Sequence, residues 1–172
     1  TATSRSLTGL SANTTYQMSV RARDAAFRWS AWSSALPVTT LPNPPPPPTA
    51  SASGLSANGF TAGWYSPAGV TGYRLDVSTN SAFSSYVPGY QDLDVGTATS
   101  RAVSGLAPNT TYYFRVRAAN AGGVGLNSTT VVVTTLVPPP ESPVALMATG
   151  VTVNGFTANW QPAAGATMYS SP

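Results

Sequence analysis

The chain of 172 residues contains no cysteine and no histidine, and all eight of its cationic side chains are arginine. Without cysteine there is no disulfide framework, so the redox compartment is not readable from this signal. Thiolate and imidazole catalysis are excluded, as is a zinc site of the ordinary kind. A serine nucleophile would find neither histidine nor lysine as its base. Charged residues make up only 8% of the chain, and the acids are Asp24, Asp76, Asp92, Asp94 and Glu141. Glycoside hydrolysis needs two acids across a cleft, a hard assembly from so few. The net charge of +3 is small and the arginines are scattered, which argues against nucleic acid. No apolar run is long enough to cross a bilayer. No secretory signal is visible, but the chain begins inside a repeat, so that absence carries no information. Neither an enzyme nor a cofactor is expected.

What is present is a 42% apolar fraction, enough for a core, in a background of Thr, Ser, Asn and Gly common in extracellular β-proteins. An internal repeat organises it. Thr1–Ala22 aligns without a gap on Thr97–Ala118, with 14 of 22 positions identical, and Gly54–Tyr73 aligns on Gly150–Tyr169, with 11 of 20 identical. Both alignments have the same offset of 96 residues. Within the repeat, Leu106-Ala-Pro-Asn-Thr-Thr-Tyr112 leads into Tyr113-Phe-Arg-Val-Arg-Ala118. Tyr112, Phe114, Val116 and Ala118 fall on one face, and Tyr113, Arg115 and Arg117 on the other, as a half-buried antiparallel strand requires. Leu106 and Tyr112 have the spacing of a tyrosine corner, and Leu10 and Tyr16 repeat it. Phe60, Ala62 and Trp64 alternate on an earlier strand, and Tyr73, Leu75 and Val77 on the next. A short edge strand is expected between Ser78 and Gly96, then strands at 100–103 and 129–135 with a turn at Gly122-Gly123. No segment has helical periodicity. Seven short strands in under a hundred residues predict an all-β, antiparallel, immunoglobulin-like sandwich.

Trp64, Tyr73, Leu106 with Pro108 and Tyr112, and the closing Val133-Thr-Thr135 together resemble a fibronectin type III domain, in the wording found in large bacterial surface and secreted proteins. Trp160 and Tyr169 match Trp64 and Tyr73 in a further copy. The resemblance implies tandem seven-stranded sandwiches. Residues 1–41 would be the C-terminal half of one domain, 49–136 a complete domain and 144–172 the N-terminal part of a third. Residues 42–48 would be a polyproline linker and 137–143 a shorter proline-rich one, each a stiff strut at ~3.1 Å per residue. A core of Trp64, Tyr73, Leu106, Tyr112 and Trp160 is expected. In this family the module is mostly a spacer or a binding platform.

Four features are candidates for something more. Trp29-Ser-Ala-Trp-Ser33 is similar to the signature of class I cytokine receptors, where arginines interleave with the two tryptophans. Arg21 and Arg23 share the outward face of the preceding strand, so an Arg–Trp ladder of Arg21, Arg23, Trp29 and Trp32 is expected, with a ligand-facing aromatic patch as its alternative. Tyr86 and Tyr90 are further candidate exposed aromatics. Asp92 and Asp94, with Asp76, have the residue type of a calcium site, but their alternate spacing fits charges that guard a sheet edge better. Asn13-Thr-Thr15, Asn109-Thr-Thr111 and Asn127-Ser-Thr129 match the glycosylation pattern, and the first two sit at one repeat position where turn bonding already uses Asn and Thr.

The sequence thus predicts a non-catalytic extracellular or cell-surface protein, without cofactor or metal, that serves as a rod-like spacer or structural element. The alternative is an adhesive or carbohydrate-binding module using the exposed aromatics. A cytokine-receptor-like ectodomain is disfavoured by the missing cysteines. Expected partners are other copies of the chain, other surface proteins or glycans. The offset framing also permits neighbouring molecules to complete one another's sandwiches head to tail, although equivalents of Val77–Gly96 would be missing.

Overall fold

The alternating stretches of the central unit become strands in the computed structural model, which describes residues 2–170; Thr1, Ser171 and Pro172 of the terminal units lie outside it. The first unit contributes a hairpin, β1 (Thr15–Met18) paired with β2 (Leu36–Thr39). The central unit supplies β3 (Thr49–Ser53), β4 (Gly59–Tyr65), β5 (Gly72–Ser78), β6 (Leu93–Asp94), β7 (Ser100–Ser104), β8 (Thr111–Asn120), β9 (Gly123–Asn127) and β10 (Val131–Thr134). The third unit contributes β11 (Ala145–Thr152) paired with β12 (Gly155–Trp160). All pairings are antiparallel.

The central unit is a sandwich of a three-stranded sheet in the order β3-β4-β7 and a larger one in the order β10-β8-β5-β6, with β9 also on β8. The last expected strand is β10, and β9 is an additional one where a turn was expected. Ser128 divides them, and its hydroxyl accepts from the Val116 amide at 3.0 Å, which keeps the pairing intact across the break. The strand at 123–127 escaped the sequence reading because three glycine-flanked positions there mimic a turn.

Phe60, Ala62 and Trp64 from β4 meet Tyr73, Leu75 and Val77 from β5 and Tyr112, Phe114, Val116 and Ala118 from β8 in one buried cluster. Aromatic pairs cross the two sheets: Phe60 with Phe114 and Trp64 with Tyr73, each with ring centroids 5.5 Å apart. Such tilted pairs contribute about 0.5–1.5 kcal/mol each beyond area burial. Leu106 is buried, and the Tyr112 hydroxyl accepts from the Ala107 amide at 3.0 Å, which closes the tyrosine corner. The first unit repeats it, with Tyr16 accepting from the Ser11 amide at 2.9 Å. Tyr112→Phe is expected to cost about 1 kcal/mol, the net worth of one such bond, with the core otherwise unchanged. A urea midpoint that does not move would remove the corner from the list of stabilising elements.

Trp160 departs from the expectation of a core residue. It packs on Tyr169 at 5.6 Å but remains 43% exposed, because among the described residues the third unit has two strands and no facing sheet over them. A hollow of about 730 Å³ on the same hairpin is lined by Leu146, Met147, Ala158 and Trp160 among others.

The proline tract before β3 is laid against the central unit. Pro45 and Pro48 are buried and Pro42 is half-buried, a spacing of three that matches the three residues per turn of polyproline II. Gly122 and Gly125 are glycine for this reason, since a Cβ on either would collide with the carbonyl oxygen of Pro42 or Pro45 respectively.

Candidate functional site

Two clusters gather most of the charged side chains. In the first unit β1 runs on through Val20-Arg-Ala-Arg23, and the returning Trp29–Ser33 segment is zipped to it by backbone and hydroxyl together. Ser30 and Ser33 donate their amides to the carbonyls of Ala22 and Val20, and their hydroxyls accept from the same two residues' amides at 2.9 and 3.0 Å. That double bond holds both tryptophans on one face. The Arg21 guanidinium lies 4.3 Å from the Trp29 ring and 4.6 Å from Trp32. Arg23 follows at 5.2 Å from Trp29 and 4.9 Å from Phe27. The four residues named from the sequence are thus brought together, and Phe27 joins them.

Phe27 was invisible in the sequence because it occupies the left-handed region, at φ 65°, in a tight loop rather than a strand. Asp24 fastens that loop. Its carboxylate accepts from the amides of Ala26 and Arg28 and pairs with the Arg28 guanidinium at 2.8 Å. The Arg28 amide and then its guanidinium hold the Asp24 carboxyl below the usual carboxylate range. Trp29 and Trp32 stay about half exposed, at 52% and 59%.

The second cluster lies on the outer face of the larger central sheet. The segment 79–92 folds back over that face instead of standing clear as a loop. Asp76, expected to point into solvent, is covered by it, and its side chain is 3% exposed. Its carboxylate accepts from Arg115 Nε at 3.0 Å and from the Asp92 amide at 2.7 Å, with Arg117 at 3.6 Å. Arg117 also pairs with Asp92 at 2.8 Å, and Arg74 with Asp94 at 3.3 Å. Phe83 is buried beneath this segment with the Arg115 guanidinium 3.9 Å from its ring. Like Phe27, Phe83 has positive φ, 54°, a strain for an aromatic residue that the stacked arginine offsets.

The acidic candidates lie in this arrangement. Asp76 pairs with Arg115 and Arg117, and Arg117 reaches on to Asp92. Asp94 sits on β6, the two-residue edge strand, as its spacing predicted. The tyrosines differ from expectation. Tyr90 packs against the core with its hydroxyl toward the Ala102 carbonyl, and Tyr86 is half-buried beside Phe83, so neither forms an open aromatic platform. Both were assigned to the surface because a turn-rich segment gives no period to tell its inner face from its outer.

Arg21 occupies the repeat position of Arg117, 96 residues apart, and the two have opposite surroundings. Arg117 is claimed by carboxylates from β5 and the segment that covers it. Arg21 stacks between indoles. Asn13 and Asn109 share a left-handed turn, each at φ 48°, and the threonines two residues on pair with Thr39 and Thr134 across β1–β2 and β8–β10. Those threonine hydroxyls are used by the sheet.

The sandwich, its corner and the repeat now stand beside known proteins. The family of the Fibronectin type III domain matches residues 45–135, more than half of the 172-residue chain. The chain belongs to the fibronectin type III family. Exoglucanase B of Cellulomonas fimi is 35% identical over 178 aligned residues, covering 93% of this chain. Chitinase A1 of Niallia circulans is 35% identical over 133, covering 72%. The chain spans 15% and 18% of those two proteins. Contactin-2 of Homo sapiens is 39% identical over 67 residues, 39% of this chain and 6% of that protein. Among solved structures, the FN1-FN3 domains of chicken CNTN1 share the fold, with a TM-score of 0.51 at 24% identity over 75% of this chain and 45% of that one. No helix among the described residues is long and apolar enough to cross a membrane.

Proposed function

We propose that this chain is a non-catalytic, extracellular spacer: a run of fibronectin type III units that sets the distance between other parts of a larger protein. The carrying observation is the central unit itself. It closes a complete core around Trp64, Tyr73 and Phe114, commits its buried acid to two arginines, and sits between proline-rich segments in a repeat of constant offset. Such a unit adds length and asks nothing of its neighbours for stability. Two relatives support the reading, because in both an enzyme's name belongs to a protein of which this chain matches less than a fifth.

Retention of the purified chain on insoluble glucan and chitin tests it. The spacer reading expects the chain to remain in the supernatant. A second reading, a carbohydrate-binding accessory module, is favoured by the half-exposed Trp29 and Trp32. Retention that disappears in Trp32→Ala would overturn the spacer reading in its favour.

A further inference from the structure

The two proline-rich segments have been treated as equivalent joints, but the contacts around them differ. Before the first, unit one is bonded to its last residues: Thr40 donates its amide to the Thr14 carbonyl, and the Leu41 carbonyl accepts from the Asn13 amide, both at 3.0 Å. The next residue already belongs to the central unit. Pro42 is half-buried with its carbonyl over Gly122, and the Asn43 carbonyl accepts from Asn120 Nδ2 at 2.8 Å. Pro45 and Pro48 are buried, the Pro45 carbonyl lies over Gly125, and Thr49 begins β3. Between Leu41 and Thr49, Pro42, Asn43, Pro45 and Pro48 are each anchored on the central unit.

The second segment has the opposite character. Unit two is bonded as far as Leu136, whose amide donates to Ser56 at 2.9 Å and whose carbonyl accepts from Asn109 at 3.2 Å. Unit three is bonded from Val144, whose carbonyl accepts from Gln161 at 2.8 Å. The seven residues from Val137 to Pro143 are all exposed, and none makes a hydrogen bond or ion pair with another described residue.

From this we infer that residues 42–48 are not a linker but an edge piece of the central unit, clasped by Asn120 and Gly122 just before β9 and by Gly125 within it. Bending of the array is concentrated at 137–143. The physical cause is backbone approach. A run of prolines has no amides to donate and so cannot extend a sheet, yet its carbonyls pass close over a backbone that lacks Cβ. Gly122 and Gly125, three residues apart, meet prolines three residues apart. The same contact covers the β9 edge, which would otherwise be open to pairing with another chain. In unit one the corresponding position is Ser30, whose hydroxyl is spent on the Ala22 amide, so that hairpin offers no such cradle. The inference refines the spacer reading yet stands apart from it, since polysaccharide retention reports one and label distances the other.

The chain has no cysteine, so introduced ones label cleanly. Nitroxides on Asn43→Cys with Ser104→Cys, and on Ser142→Cys with Ser104→Cys, measure each segment against the same strand of the central unit. The first pair is expected to give one narrow distance distribution and the second a distribution at least about twofold broader, as a short solvated segment allows. Gly125→Val should broaden the first pair to the width of the second and leave the second alone. Asn120→Ala, which deletes only the bond to Asn43, serves if the valine prevents folding, and should broaden the first pair part of the way. Equal widths for both pairs in the otherwise native chain would overturn the inference, as would a first pair indifferent to both substitutions.

Discussion

Trp64→Ala is expected to unfold the central unit at ordinary temperatures. The side chain is 6% exposed, packs on Tyr73 across the sheets and belongs to the one buried cluster. Truncation removes the transfer energy of the indole and leaves a cavity, together about 3–5 kcal/mol. A domain of this size has about 5–15 kcal/mol in total, so the loss is a large part of what it has. The indole N–H has no hydrogen-bond partner among the described residues, so Trp64→Phe should cost much less than alanine. Chemical denaturation followed by fluorescence separates the cases. The assignment of Trp64 to the centre of the core fails if the alanine variant melts with the parent chain, or if phenylalanine costs as much as alanine.

Asp76→Ala is the second large effect. Its carboxylate is buried between Arg115 and Arg117 and accepts the amide of Asp92, so it ties the segment 79–92 to the sheet below. Removing it leaves Arg115 without a carboxylate partner, Arg117 with Asp92 alone, and a backbone amide without its acceptor. Breaking a buried pair from one side costs about 3–5 kcal/mol, and the lower end applies here because both arginines keep about a quarter of their side chains in water. Phe83 should become exposed with the segment, so quicker hydrogen exchange across 79–92 is the expected local sign. Adding Arg115→Ala to Asp76→Ala should cost less than the sum of the two singles, since the second change removes a charge that the first left stranded. Additive losses, or a single loss below about 1 kcal/mol, would mean the segment is held by Phe83 and its bonds to the end of β5 rather than by Asp76.

The sequence alone determined the repeat, the strands with a strict period of two, the tyrosine corners and the membership of Trp64, Tyr73, Leu75, Tyr112, Phe114 and Val116 in one core. All of these are local or periodic. Alternation is written into neighbouring residues, and a corner needs only six consecutive positions. It also put Arg21 and Arg23 on one face, because a strand's pleat turns residues two apart the same way, and the resemblance of Trp29-Ser-Ala-Trp-Ser33 to a known signature implied the two tryptophans beside them.

Tertiary structure decided the rest, for the same reason in each case: the deciding partner is distant in sequence and has no periodic mark. Asp76 was an outward charge until the segment sixteen residues on folded over it. Tyr90 was a surface ring until the same segment turned it onto the core. Trp160 repeats Trp64 at the same repeat position, but burial requires a facing sheet, and β11 and β12 have none among the described residues. The proline tract was a strut until Asn120, Gly122 and Gly125, some eighty residues later, were brought beneath it. A period of two tells which face of a strand is apolar. Only the folded chain tells what lies on the other.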